Sequence, residues 1–230
     1  MARLTDDFLT HFYYGVREDY LEQVKGVERP FSDLFLTLTR LHAFVVSTDR
    51  EGKPRGTIKS IGFIPKVEYL EEAMRDFDAF INWRWEKIKE AKGPDYEGEA
   101  SLYSPHPDFL AQVLEQHLKW RYLPKEEAER KIHLDRLTTL EAYYRKTWAN
   151  IQQNNKVALL FYYPPSTQFQ INCTVEIQKE GPVYEFLNKG SVLLHGENPA
   201  KWKRKNMAYI FHVDEVIDKS IYPSTWKDKR

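Results

Sequence analysis

The chain has 230 residues, of which 42% are hydrophobic and 14% aromatic, which is ample for a globular fold and argues against disorder. Its 34 Lys and Arg residues balance its 34 Asp and Glu residues, so no net charge draws it to nucleic acid or to an anionic membrane. The single cysteine excludes an intramolecular disulfide and a cysteine-rich zinc site. The charged N-terminus lacks the apolar core of a signal peptide, and no run is long enough to span a membrane, so we expect a cytoplasmic protein.

The first predicted elements are a helix and a hairpin. Thr5 is suited to cap a helix whose one side carries Leu9, Phe12, Val16 and Tyr20. Two β-rich runs follow, His42–Thr48 and Arg55–Ile64, joined by the polar connection DREGKP. This pattern predicts a β-hairpin.

Over residues 66–131 the pattern of apolar residues is that of helices rather than strands. One apolar stripe predicts a helix that ends near Gly93-Pro94, and its members are Val67, Leu70, Met74, Phe77, Ile81, Trp85 and Ile88. A second helix is expected from Pro107-Asp108, and a short third one from Pro124. We therefore predict one domain over residues 1–230, with residues 66–131 as a helical insertion between two strands.

Strand-like patterns occur again in the last hundred residues. KIHLDRL predicts a short strand, and Thr138 with Glu141 forms a possible capping box for a helix that stops at Asn154-Asn155. KVALLFYY and the alternating run Thr167–Ile177 predict a second hairpin, and MAYIFHV predicts a last strand after a loop. Hairpins separated by helices indicate an α+β fold built on an antiparallel sheet or barrel.

Common catalytic motifs are missing from the sequence. It contains no Walker loop, no GxGxxG after a strand, no HExxH and no GxSxG. His133 and His212 lie on predicted strands and are interpreted as structural histidines. Cys173 belongs to the apolar set of its strand and is expected to be a buried hydrophobe. The basic segment KWKRK, residues 201–205, is interpreted as a solvated loop, so no nucleic-acid partner is expected.

Two rows of polar side chains remain as candidates for a site. Arg55, Thr57 and Lys59 share one face of their strand, and Gln168 and Gln170 share one face of theirs. If both hairpins belong to one barrel, the two rows could converge on an anionic, amide-rich ligand such as a nucleotide. The alternative is that both rows face water, as is common in antiparallel sheets.

Four segments resemble the pyridoxamine 5'-phosphate oxidase-like, FMN-binding split-barrel family. FVVSTDREGKPRGTIKSIGF is similar to its first two strands, and RKTWANIQQNNKVALLFYY is similar to its Lys-containing helix and following strand. QFQINCTVEI resembles its Gln-Val-Arg-Ile-x-Gly-x-Val-Glu strand, and NMAYIFHVDEV its closing strand. The resemblance implies a six-stranded antiparallel split β-barrel, a homodimer, and FMN in a cleft between subunits.

The resemblance also implies which residues hold the cofactor. They are Arg55, Thr57, Lys59, Arg145 or Lys146, Gln168 and, where the family often has Arg, Gln170. The Arg-rich C-terminal substrate motif of the vitamin B6 oxidase has no convincing counterpart in this chain, so pyridoxamine phosphate oxidation is not expected.

The sequence leaves three functions open. The first is an FMN-dependent oxidoreductase of unknown substrate, with the flavin performing the redox chemistry. The second keeps the fold and exchanges the cofactor for F420 or heme. The third is a non-catalytic barrel that binds a protein partner through its helical insertion.

Overall fold

The structure of the protein is a computed structural model that describes residues 2–27, 36–37, 39–96, 108–196, 198 and 206–221. Its strands are β1 (His42–Thr48), β2 (Pro54–Ser60), β3 (Arg136–Glu141), β4 (Lys156–Tyr163), β5 (Thr167–Gln178) and β6 (Met207–Asp218). A π-helical turn, Thr10–Tyr14, joins the first two α-helices. The α-helices are α1 (Asp6–Leu9), α2 (Gly15–Val24), α3 (Val67–Lys92), α4 (Asp108–Trp120), α5 (Lys125–Lys131), α6 (Lys146–Gln153) and α7 (Pro182–His195).

All six strands form one antiparallel sheet in the order β2-β1-β4-β5-β6-β3. The sheet curls, and its two edges approach each other beyond the end of β2, where Gly62 pairs with Thr138 and Pro65 with Ile132. The hydroxyl of Thr139 reinforces this closure by donating to the carbonyl of Ser60 at 2.6 Å. The predicted α+β class and the six-stranded split barrel are confirmed.

The inner face of the curled sheet holds the first hydrophobic core. Strand residues alternate between buried and more exposed, as β5 shows from Phe169 to Val175, because successive side chains point to opposite faces. The N-terminal helices plug this interior: the Phe8 ring lies 5.0 Å from that of Phe161 and 5.5 Å from that of Phe169. The apolar side predicted for the N-terminal helix is buried in this core, and its members are Leu9, Phe12, Val16 and Tyr20.

The helical insertion forms the second core. Helices α3, α4 and α5 lie between β2 and β3 and enclose most of the predicted apolar stripe, although Val67 at its start is exposed. This cluster continues onto α7 and onto the outward side of β6, through Ala208 and Ile210. Helix α3 ends where Gly93 takes a φ of 107°, a conformation that side chains with a Cβ rarely adopt.

Four predictions of local structure are wrong. The short strand predicted over KIHLDRL lies further along the chain, as β3, and Lys131 instead ends α5. Thr138 and Glu141 do not cap a helix but belong to β3, because pairing with β6 satisfies their backbone groups instead. The connection predicted as a loop contains α7, which begins with Pro182 at its first turn and ends at Gly196 in the left-handed conformation. Strand β2 ends at Ser60 rather than at Ile64.

Candidate functional site

A polar cleft of about 410 Å³ lies between the β1–β2 turn and helix α6. It brings together Arg55 and Lys146, two predicted site residues that are far apart in the chain. The other lining residues are Asp49, Arg50, Glu51, Ala149, Asn150 and Gln153. Three cations against two carboxylates give the cleft a slight positive excess, which suits an anionic group.

The turn sequence fixes one wall of this cleft. The Asp49 carboxylate accepts hydrogen bonds from the backbone N–H of Glu51 at 3.0 Å and of Lys53 at 2.9 Å. Gly52 supplies the positive φ of 78° that the turn requires. These two hydrogen bonds hold the Asp49 side chain in the turn, so the turn residues form a fixed wall of the cleft.

Helix α6 forms the opposite wall and is tied to the sheet by amides. Asn150 donates to the Ser47 hydroxyl at 3.3 Å, and Asn154 donates to the Thr48 hydroxyl at 2.8 Å. At the other end of α6, no side chain among the described residues caps the helix. Lys146 at the start of α6 and Gln153 at its end both line the cleft, so the cleft runs along one side of this helix.

Beside this cleft, inside the barrel, Lys59 forms a buried ion pair with Glu141. Lys59 Nζ lies 2.9 Å from Glu141 Oε2, and the two side chains are 10% and 4% exposed. The same carboxylate accepts from the Tyr209 hydroxyl at 2.8 Å and from the backbone N–H of Tyr143 and Tyr144 at 3.0 Å each. Glu141 therefore has four donors.

These contacts set the ionisation of the buried groups. Burial alone would raise the pKa of Glu141, but the hydrogen bonds from Lys59 and the Tyr143 backbone outweigh it and lower the pKa below its ordinary value. Burial, and next the negative charge of Glu141, raise the pKa of Tyr209. Glu141 already neutralises the charge of Lys59. Lys59 is therefore a weaker candidate phosphate ligand than Arg55 or Lys146.

The strand register separates the two polar rows that the sequence singled out. Thr57 pairs with Val45, Val45 with Leu159, and Leu159 with Ile171, so the row of Arg55, Thr57 and Lys59 shares the inner face of the sheet. Gln170 pairs instead with Leu160, and Leu160 with Phe44, on the outer face. The convergence that the sequence left open is therefore not found within one chain, because the period of two places the rows on opposite sides of the sheet.

The remaining predicted site residues have these positions. The Arg145 guanidinium lies 5.4 Å from the centre of the Tyr143 ring, at the start of α6. Gln170 donates to the Asn172 side chain at 2.8 Å, and the backbone N–H of Gln168 donates to the Ser220 hydroxyl at 3.0 Å. Their roles toward a cofactor stay predictions.

The structure also shows the surroundings of the cysteine and of the two histidines that the sequence singled out. Cys173 is buried as predicted, and burial raises the pKa of its thiol to about 12, so it is a poor nucleophile. His133 and His212 bind different carboxylates, Asp135 at 3.2 Å and Glu176 at 2.8 Å. The segment KWKRK lies outside the described residues. None of the described helices is long and apolar enough to cross a membrane.

The outer face of the sheet exposes a row of large apolar side chains. Ile58, Phe44 and Leu160 lie side by side across β2, β1 and β4, and Tyr162 is exposed further along β4. Ile58 is 66% exposed. Gly56 makes this row possible, because a Cβ there would lie 2.2 Å from the Phe44 ring. Exposed apolar side chains grouped in this way are a common feature of interaction surfaces.

No family model matches the sequence, and no curated protein matches it. Among solved structures, HupZ of Group A Streptococcus is 13% identical, with 84% of this chain and 96% of HupZ covered at a TM-score of 0.40. An FMN-binding protein from Syntrophomonas wolfei is 10% identical, with 94% of this chain and 95% of that one covered at a TM-score of 0.38.

A third match is a protein of the pyridoxinephosphate oxidase family from Clostridium acetobutylicum, related to general stress protein 26. It is 11% identical, with 83% of this chain and 92% of that one covered at a TM-score of 0.38. Structures of the pyridoxamine 5'-phosphate oxidase-like and FMN-binding split barrels thus match over most of the chain. Each of these matches is a likeness in fold.

Proposed function

We propose that this protein binds FMN and acts as a flavin-dependent oxidoreductase. The observation that carries the proposal is the cleft in which Arg55 of β2 and Lys146 of α6 come together between the β1–β2 turn and the helix. A phosphate monoester needs this set of charge-assisted donors. The turn and helix that build the cleft are also the segments that resemble the FMN-binding family.

The chain's own residues fit the cofactor as follows. Arg55 and Lys146 hold the phosphate, with Arg145 at the entrance to the helix. Thr57 offers a hydroxyl further along the inner face of β2, and Lys59, held by Glu141, positions that strand rather than the phosphate. When bound, FMN would supply hydride or electron transfer.

We further propose that the protein is a homodimer joined through the outer face of the sheet. The exposed row of Ile58, Phe44 and Leu160 supports this, because burial of such a row is favourable. Gln168 and Gln170 share this outer face and would reach a ligand only when a second copy packs against it.

The test of the cofactor is the absorption spectrum of freshly purified protein, followed by titration with FMN. We expect flavin bands, or a saturable quenching of FMN fluorescence when the protein is added. A Soret band would favour heme instead, and selective binding of F420 would favour the deazaflavin. A colourless protein that ignores all three cofactors contradicts the proposal and favours a non-catalytic barrel.

The dimer proposal is tested by Ile58→Glu. We expect sedimentation equilibrium to show twice the mass of one chain for the original protein and a single-chain mass for the variant, because the dimer would bury the new carboxylate unpaired. Val67→Glu is the control, since Val67 is similarly exposed but lies on α3. A monomeric original protein, or a variant that stays dimeric, contradicts this interface.

A further inference from the structure

Arg121 lies at the junction of the two hydrophobic cores, just beyond the end of α4. Its guanidinium sits 4.9 Å from the centre of the Phe186 ring of α7, and its Nη2 packs so close to Gly190 that a Cβ there would lie 2.3 Å away. Its Nη1 approaches Gly62, the residue that closes the barrel. Arg121 thus touches both the barrel and the helical layer, and it keeps part of its surface exposed.

This arginine has no carboxylate partner among the described residues. Its Nε is buried and makes no hydrogen bond. On the helices that pack against α4, Asp19 of α2 binds Arg40, and Asp76 of α3 binds Lys119 and the Trp120 indole. Stacking on Phe186 and the negative end of α4 compensate only part of the cost of burying a charge.

A second buried side chain at this junction leaves one nitrogen without a hydrogen bond from the described residues. His117 lies on α4, one turn before Arg121. It is only 4% exposed, and its Nδ1 makes no hydrogen bond. Burial, and then the charge of Arg121, lower the pKa of His117 to about 3, so the ring is neutral at pH 7. The ring of Tyr20 lies 6.2 Å from that of His117 and 5.4 Å from that of Tyr122.

We infer that Arg121 and His117 form a binding site for a small anion, a phosphate or carboxylate group, at the junction of the barrel and the helical insertion. The anion provides the negative charge that no described acidic residue gives Arg121, and His117 Nδ1 donates a hydrogen bond to it. Because α2, α4 and α7 meet there, the bound anion holds the helical insertion against the barrel. This site is separate from the cleft of Arg55 and Lys146 and does not depend on FMN binding.

The test is thermal unfolding of the full chain while inorganic phosphate replaces chloride at constant ionic strength, with malonate as a carboxylate in a parallel series. We expect a saturable rise in Tm of roughly 3 °C or more at ten times Kd with at least one anion. In the Arg55→Ala/Lys146→Ala background, in which the cleft has lost its phosphate ligands, Arg121→Met should abolish the rise, while Arg130→Met, which removes an exposed arginine of α5, should keep it. The double variant Arg55→Ala/Lys146→Ala should also keep it, which separates this site from the cleft.

No rise in the original protein with either anion, or a full rise when Arg121→Met is added to that background, overturns the inference. If Arg121→Met does not fold, the nitrogen resonances of the His117 ring in the original protein give a second readout. A saturable shift of Nδ1 with phosphate or malonate supports the site, and an unchanged resonance with both overturns it.

Discussion

Replacing Glu141 with Ala is expected to lower the free energy of unfolding by about 3–5 kcal/mol, because it leaves the ammonium of Lys59 buried without its partner. The Tyr209 hydroxyl and two backbone N–H groups lose their acceptor at the same time. Urea unfolding followed by circular dichroism at pH 7 measures the change.

The matched control removes both charges of the pair. Lys59→Met/Glu141→Gln keeps an acceptor for the Tyr209 hydroxyl and the backbone groups but buries no charge, so we expect it to be more stable than Glu141→Ala alone. If the double variant is as unstable as the single one, the ion pair is not the source of the loss.

The same carboxylate makes stability depend on pH. The pKa of Glu141 in the folded protein is lower than the ordinary 4.5, so the unfolded chain binds its proton first as the pH falls. The contribution of Glu141 is therefore complete above about pH 4.5 and is lost as the pH falls through the lower folded value. Between pH 6 and pH 3, Glu141→Gln should lose less stability than the original protein. An equal loss would contradict the assigned pKa direction.

Replacing Arg55 and Lys146 together with Ala is expected to raise the Kd for FMN at least about 100-fold. Each charge-assisted hydrogen bond to the phosphate contributes about 1.5–3 kcal/mol, and each 1.4 kcal/mol is a tenfold change in affinity. Both side chains line an open cleft, so their removal should leave the barrel folded. Fluorescence titration with FMN gives the affinity, and circular dichroism checks the fold.

The control for this pair has the same composition. Arg75→Ala/Lys87→Ala removes one arginine and one lysine from exposed ion pairs on α3, which contribute little to stability. It should bind FMN as the original protein does. Riboflavin, which lacks the phosphate, should bind equally to the cleft variant and the original protein. Equal FMN affinity in the cleft variant and its control would remove Arg55 and Lys146 from the site.

Local patterns in the sequence were enough to predict most of the elements. The alternation of β5, the apolar stripe of α3 and the turn at Gly52 depend on neighbouring residues alone, so they could be predicted without any knowledge of the fold. Helix α7 was missed although Pro182 and Gly196 bracket it, because the preceding residues Lys179–Gly181 resemble a turn. The pairing of Arg55 with Lys146 was implied by the resemblance to a family rather than by any local pattern.

Only the tertiary structure decided how distant residues meet. Glu141 has the sequence signature of a capping residue, yet the pairing of β3 with β6 turns it inward onto Lys59, a residue of another strand. Likewise, the alternation of β2 and β5 defines two faces for each strand, but which faces coincide depends on the register of four strands. Register and burial are set by contacts between distant segments, which is the physical reason that composition and periodicity could not predict the unpaired Arg121 or the separation of the two polar rows.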